Sequence, residues 1–231
     1  MGLTVKQIQQ AQCEYAAGHG GDDNSLQAKY YARPVSYLLV WLLARTAVKP
    51  NHVSVIALLA GVAGGLYIMN QNLLVGALLL NISHLLDYAD GTLAKATGTV
   101  SKYGAWLDNI CDDIVETAIP ISVGVALINT NALFVIIGVF CAIIHLWGSL
   151  ASTYARIRLG DSPSSAAESN KFRYLVSVGT NMKSLAVPSL LVFIFIPHGL
   201  PIFLVMLTIL NTCEFIIRMM SVKDEQKDNR E

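Results

Sequence analysis

Charge is scarce in this chain, and it is balanced. Only 14% of the 231 residues are Asp, Glu, Lys or Arg, with 16 of each sign, so the formal net charge is zero. Net charge therefore singles out no acidic or basic partner, and nothing predicts a nucleic-acid ligand. Cysteine is equally thin. Cys13, Cys111, Cys141 and Cys213 include no CxxC pair and read as reduced packing residues. The first 24 residues are polar and lack an apolar h-region, which predicts no cleavable signal peptide, so the first apolar helix is expected to direct insertion. There is no internal repeat and no low-complexity segment.

What is plentiful is apolar sequence. Hydrophobic residues make up 54% of the chain, the mean hydropathy is +0.51, and several runs approach the ~20 residues that cross a bilayer. The expected fold is an all-α integral membrane bundle of six transmembrane helices with an N-terminal amphipathic interfacial helix. Residues 1–28 form a polar N-terminal segment, 29–47 the juxtamembrane helix, 48–220 the six-helix catalytic domain, and 221–231 a charged tail expected to be disordered. The apolar core of 29–47 is too short to span. Its basic flanks and Trp41 suit an interfacial helix, the alternative being a short buried one. The six spans are expected near 53–69, 73–95, 101–128, 132–157, 185–196 and 200–219. Asn51 is a good N-cap for the first of them.

Basic residues are also missing from particular places. The turns at 69–72, 129–131 and 197–201 hold no Lys or Arg, whereas the opposite ends receive Lys49, Lys95, Lys102, Arg156, Arg158 and Arg173. By the positive-inside rule both termini and those ends face the cytoplasm. The longest loop on that side is 161–169.

Four carboxylates stand out against this apolar background. Asp87 and Asp90 are three residues apart; Gly104, Asp108 and Asp112 follow at four-residue steps. Each set falls on one helical face. Carboxylates are costly at a membrane boundary and need a cation or a task. Two such faces opposed would form a cage of hard oxygen ligands suited to Mg²⁺ or Mn²⁺. Gly91 and Gly104 let a bulky ligand approach the backbone, and Ala94 leaves room one turn beyond Asp90. The set suits a diphosphate bridged by one or two divalent cations, with one carboxylate free to deprotonate a hydroxyl.

The pattern Asp-x2-Asp-Gly-x2-Ala-Lys-x8-Gly-x3-Asp-x3-Asp resembles the signature of the CDP-alcohol phosphatidyltransferase family. Every spacing matches, and Lys95 stands where that family has Arg. The six-helix layout with an interfacial helix is also similar. The resemblance implies transfer of a phosphatidyl group from CDP-diacylglycerol to a small, possibly phosphorylated alcohol, with release of CMP, in phospholipid biosynthesis. The reverse arrangement, a CDP-linked small alcohol with a lipid acceptor, stays open. It implies that Asp87, Asp90, Asp108 and Asp112 bind two divalent metals, that Asp112 is the catalytic base, and that Gly91, Ala94, Lys95 and Gly104 border the nucleotide and diphosphate. Asn51 and Ser54 stand in a stretch similar to a nucleotide-contacting element of the family. It also implies a homodimer among membrane lipids. Lys supplies a point charge where Arg supplies a fork, so phosphate neutralisation is expected to survive better than orientation.

Arg156 and Arg158 resemble an acceptor-phosphate element, or else anchor a helix end by the positive-inside rule. Glu116 extends the Asp108 and Asp112 stripe by one turn and is either functional or bonded to a neighbouring helix. His84 and His145 read as packing histidines. A polytopic prenyltransferase normally separates its two Asp clusters widely in sequence. A cation transporter distributes its charges along a path. Neither pattern fits a contiguous cluster at one boundary.

Overall fold

The computed structural model describes residues 3–19, 28–159 and 185–228, with only the backbone at 16–19, 28–29, 152, 155–159, 217–218 and 220–228. Every described element is helical. They are α1 (Val5–His19), a π-type turn (Ala28–Ala32), α2 (Arg33–Leu43), α3 (Pro50–Met69), α4 (Leu73–Ala96), α5 (Lys102–Ala126), α6 (Leu133–Leu159), α7 (Ala186–Phe193) and α8 (Gly199–Asp228). The chain divides into two compact units, 1–115 and 116–231.

Among the described residues, four helices are long and apolar enough to cross a membrane: Pro50–Met69, Leu73–Ala96, Leu133–Ala151 and Gly199–Ile216. Their outward faces stay apolar, with Leu59, Leu66, Ile136, Trp147 and Ile209 all more than half exposed, as surfaces bathed in lipid do. By length and composition, four of the six expected spans thus qualify among the described residues. α5 has the length but carries Asp108, Asp112, Asp113 and Glu116. The expected span at 185–196 contracts to the eight residues of α7, about 12 Å of helix against a ~30 Å hydrocarbon core. The tail expected to be disordered from Lys223 instead continues α8 to Asp228, because no Gly or Pro follows Met219 to break it.

Unit 1 is organised by the α3/α4 pair. Gly64 and Gly76 face each other so closely that a Cβ on Gly76 would lie 2.7 Å from the Gly64 carbonyl. Ser83 Oγ donates to the Ala57 carbonyl across the same seam at 2.7 Å. The close approach is the small-residue packing that lipid-embedded helices use. Beside it, Ile8 of α1, Val40 of α2, Val53 of α3, and Ala89 and Leu93 of α4 form one buried cluster. Both N-terminal helices are thereby fastened to the segment of α4 that bears Asp87 and Asp90. On α2 the guanidinium of Arg45, just past its end, lies 3.6 Å from the Trp41 ring centre.

The start of α3 corrects one expectation. Asn51 is not the N-cap. Pro50 is the first helical residue, and the cap is Lys49, held extended (φ −91°, ψ 155°) as a residue before proline prefers. The Lys49 N–H donates to His52 Nδ1 at 3.4 Å. This frees the Asn51 side chain for other use. None of the four cysteines forms a disulfide.

Candidate metal centre

α4 and α5 bring the carboxylates together. One oxygen from each of Asp87, Asp90 and Asp108 lies within 4.8 Å of the others. Asp90 is buried and Asp87 and Asp108 are half-buried. Asp112, one turn beyond Asp108, comes within hydrogen-bonding reach of Asp87, as does Asp108 itself. Carboxylates this close repel unless a proton or a cation lies among them. Asp108 Oδ1 is buried and accepts no hydrogen bond among the described residues. An all-oxygen carboxylate set of this kind suits Mg²⁺ or Mn²⁺ over softer metals. The residues present therefore fit a hard divalent cation.

The surrounding groups are placed as follows. Ser54 of α3 donates its hydroxyl hydrogen to Asp90 Oδ2, so its first partner is the carboxylate, which it orients. Asn51 faces Gly104: a Cβ on Gly104 would lie 3.3 Å from Asn51 Oδ1 and 3.1 Å from Ser101 Oγ. The Gly104 N–H donates to that Ser101 hydroxyl at 3.0 Å. A Cβ on Gly91 would meet nothing within 4 Å, leaving open space beside Asp90 and Ala94 for a ligand. Lys95 lies near enough to Asp108 to stabilise its charge. Arg156 and Arg158 fall in the last turns of α6, where their side chains lie outside the described residues.

Tyr15 is a neighbour that the sequence did not suggest. Lys95 Nζ sits 5.2 Å from the centre of its ring, within the range of a cation–π contact. Eighty positions separate the two residues, and no spacing rule links them. Only the docking of α1 on α4 brings them together.

The comparisons with known proteins bear on the family and on the fold. The family model for CDP-alcohol phosphatidyltransferase matches residues 47–213. The chain is 29% identical over 117 residues to the archaetidylinositol phosphate synthase of Pyrococcus horikoshii, covering 50% of this chain and 57% of that one. It is 30% identical over 138 residues to the bifunctional IPC transferase and DIPP synthase of Thermococcus kodakarensis, covering 60% and 30%. The chain thus spans little more than half of the first relative and less than a third of the second. A crystal structure of Mycobacterium tuberculosis phosphatidylinositol phosphate synthase with CDP-DAG bound shares the fold, with a TM-score of 0.61 at 22% identity over 83% of this chain and 94% of that one. The same protein in complex with manganese and citrate gives a TM-score of 0.62 at 22% identity, covering 81% and 88%.

Proposed function

Because the chain belongs to the CDP-alcohol phosphatidyltransferase family, we propose that it is a membrane phosphotransferase that moves a phosphatidyl group from CDP-diacylglycerol to a small alcohol. The observation that carries this reading is the convergence of Asp87, Asp90 and Asp108 within 4.8 Å, together with the unpartnered oxygen of Asp108. Asp87, Asp90, Asp108 and Asp112 would hold the divalent cations. When bound, such cations neutralise a diphosphate and stabilise the leaving phosphate.

The chain's own residues supply the rest. Asp112 takes the proton from the incoming hydroxyl. The alcohol oxygen then forms its bond to the phosphorus that bears the lipid, the phosphoanhydride bond breaks, and CMP leaves. Ser54 keeps Asp90 aimed at the cluster through their hydrogen bond. The open face at Gly91 and Ala94, and the Asn51 amide beside Gly104, border the nucleotide. Lys95 contributes a point charge to the phosphates. Residues 48–220 form the catalytic domain, and 29–47 lie in the interface with the site facing the cytoplasm, as the distribution of Lys and Arg supports.

The likeness to an archaetidylinositol phosphate synthase and a phosphatidylinositol phosphate synthase supports a phosphorylated polyol as acceptor, with Arg156 and Arg158 gripping its phosphate. The direct test supplies purified protein with CDP-diacylglycerol, Mg²⁺ or Mn²⁺ and a panel of alcohols, and measures CMP and lipid product. Activity is expected to vanish in EDTA and return with either metal. No CMP from any CDP-linked donor, small CDP-alcohols included, would overturn the reading.

Tyr15 gives a finer prediction. Replacing it with Leu removes the ring from Lys95, and the KM for the CDP-donor is expected to rise about 2- to 30-fold, as the loss of a cation–π contact of about 0.5–2 kcal/mol gives. Tyr15→Phe keeps the ring and is expected to stay near the parent value. Equal loss in both variants would assign the effect to the hydroxyl instead.

A further inference from the structure

Lys95 is a cation beside a cage of carboxylates. It lies near enough to Asp108 to stabilise its charge, and Asp108 shares the cluster with Asp87 and Asp90. A lysine ammonium is a compact point charge on a flexible four-carbon stem. Under electrostatics alone, such a group swings toward the nearest carboxylates. There it would take up the negative charge that a divalent cation needs, and it would be drawn away from the open face at Gly91. A site that binds a metal has to hold this lysine elsewhere.

The restraint comes from α1. The centre of the Tyr15 ring is 5.2 Å from Lys95 Nζ, inside the distance over which a ring face attracts a cation. Ile8, Gln12 and Tyr15 follow at steps of four and three, so they share one face of α1. Ile8 is buried against Val40, Val53, Ala89 and Leu93, and Gln12 is only 6% exposed. Leu93 lies two residues before Lys95. Burial of Ile8 therefore fixes α1 on the end of α4, and the helix carries Tyr15 about 10 Å further along its axis to the lysine. The polar side of α1 turns outward, where Gln10 Nε2 donates to Glu14 Oε1 at 2.7 Å. Tyr15 precedes residue 47, where the family match begins, so the contact is no part of the matched segment.

A ring suits this task because it attracts an ammonium while carrying no formal charge. It draws Lys95 off the carboxylates without adding an anion that would bind the metal itself. A cation–π contact is also weaker than a charge-assisted bond to phosphate, so the ammonium stays available to a diphosphate donor.

We propose that Tyr15 is a positioning residue: its ring holds the Lys95 ammonium away from Asp87, Asp90 and Asp108, and so keeps the carboxylates open to the divalent cation. This deepens the metal-centre reading and rests on it, but not on the identity of the donor or the acceptor.

The test is Mn²⁺ binding to the full-length protein in detergent, with no nucleotide or lipid donor, followed as loss of the electron paramagnetic resonance signal of free Mn²⁺. Tyr15→Leu is expected to weaken Mn²⁺ affinity about 2- to 30-fold, the range that a lost cation–π contact permits. Tyr15→Phe keeps the ring and is expected to stay within about twofold of the parent. Ile8→Ala loosens α1 without touching the ring and is expected to shift the affinity in the same direction as Tyr15→Leu. Lys95→Gln removes the competing cation. It is expected to bind Mn²⁺ at least as tightly as the parent, and adding Tyr15→Leu to it is expected to change nothing further. Thermal unfolding identifies any variant that misfolds, and Tyr15→Met, unbranched and without a ring, replaces Tyr15→Leu in that case. Asp108→Asn is expected to bind Mn²⁺ poorly; parent-like binding there would sink the metal centre itself, a result distinct from a failure at Tyr15. Unchanged affinity in well-folded Tyr15→Leu, equal weakening by Tyr15→Leu with and without Lys95, or absence of saturable Mn²⁺ binding by the parent would each overturn the proposal.

Discussion

Asp112→Asn is expected to lower CMP release by about 10²- to 10⁴-fold, the contribution typical of a positioned general base. The side chain keeps its shape but loses both the proton-accepting group and one negative charge. Its neighbour Asp108 makes the informative comparison. Asp108→Asn removes a carboxylate from the trio with Asp87 and Asp90, including the buried Oδ1 that lacks a partner. That change is expected to weaken cation binding first. Raising Mn²⁺ should therefore recover a larger share of the Asp108→Asn rate than of the Asp112→Asn rate, because metal cannot replace the base that the second variant also lacks. Rate measured against metal concentration for the two variants checks this. A full rate in Asp112→Asn would remove its role as base, and equal recovery by metal in both would make Asp112 a ligand only.

Gly76→Ala is expected to destabilise the protein by about 1–3 kcal/mol, as overpacking a close seam does. The added Cβ would stand 2.7 Å from the Gly64 carbonyl oxygen and 2.9 Å from the Ile68 amide nitrogen. Both are backbone atoms, so no side chain can rotate aside and α3 and α4 must part. The two helices also position Asn51, Ser54, Asp87 and Asp90, so activity should fall together with stability. Gly148→Ala is the control. There the new Cβ would only touch Phe215 Cδ2 at 3.8 Å, ordinary van der Waals contact, and Ala suits a helix better than Gly. Thermal unfolding in detergent should show a clear drop for the first variant and none for the second. An unchanged midpoint for Gly76→Ala would mean that the seam is looser than the structure has it.

The carboxylate cluster was legible in the chain because helical spacing is a local property. Steps of three and four residues bring Asp87 to Asp90 and Asp108 to Asp112 whatever surrounds them. The short break between α4 and α5 leaves few ways to arrange the two faces other than opposed. Helix boundaries were legible to within a few residues for the same reason, except at the end of α8, which runs nine residues beyond the expected 219. The cap of α3 was misplaced by two positions because proline at a first helical turn overrides a good capping side chain at Asn51. Hydropathy marked six spans, of which four meet the length and composition of a membrane-crossing helix among the described residues. An apolar run such as 185–196 signals burial in lipid or protein, but not continuity of helix, and α7 stops after eight residues.

Ser54 lies between the two cases. Its place in a stretch that resembles a nucleotide-contacting element of the family marked it as a site residue, and the structure gives it a definite first partner in Asp90. Tyr15 beside Lys95 and Asn211 beside Cys141 had no mark at all in the sequence.

The sequence by itself thus determined the apolar helical class, the four carboxylates and the family whose spacing they share. Periodicity, composition and short-range order each act over a few turns of one helix. Tertiary structure alone decided that Asp108 Oδ1 is buried without a hydrogen-bond partner among the described residues, which ring stands over Lys95, and how closely α3 approaches α4. Each depends on side chains remote in sequence meeting at distances of a few ångströms, and only the packed helices set those distances.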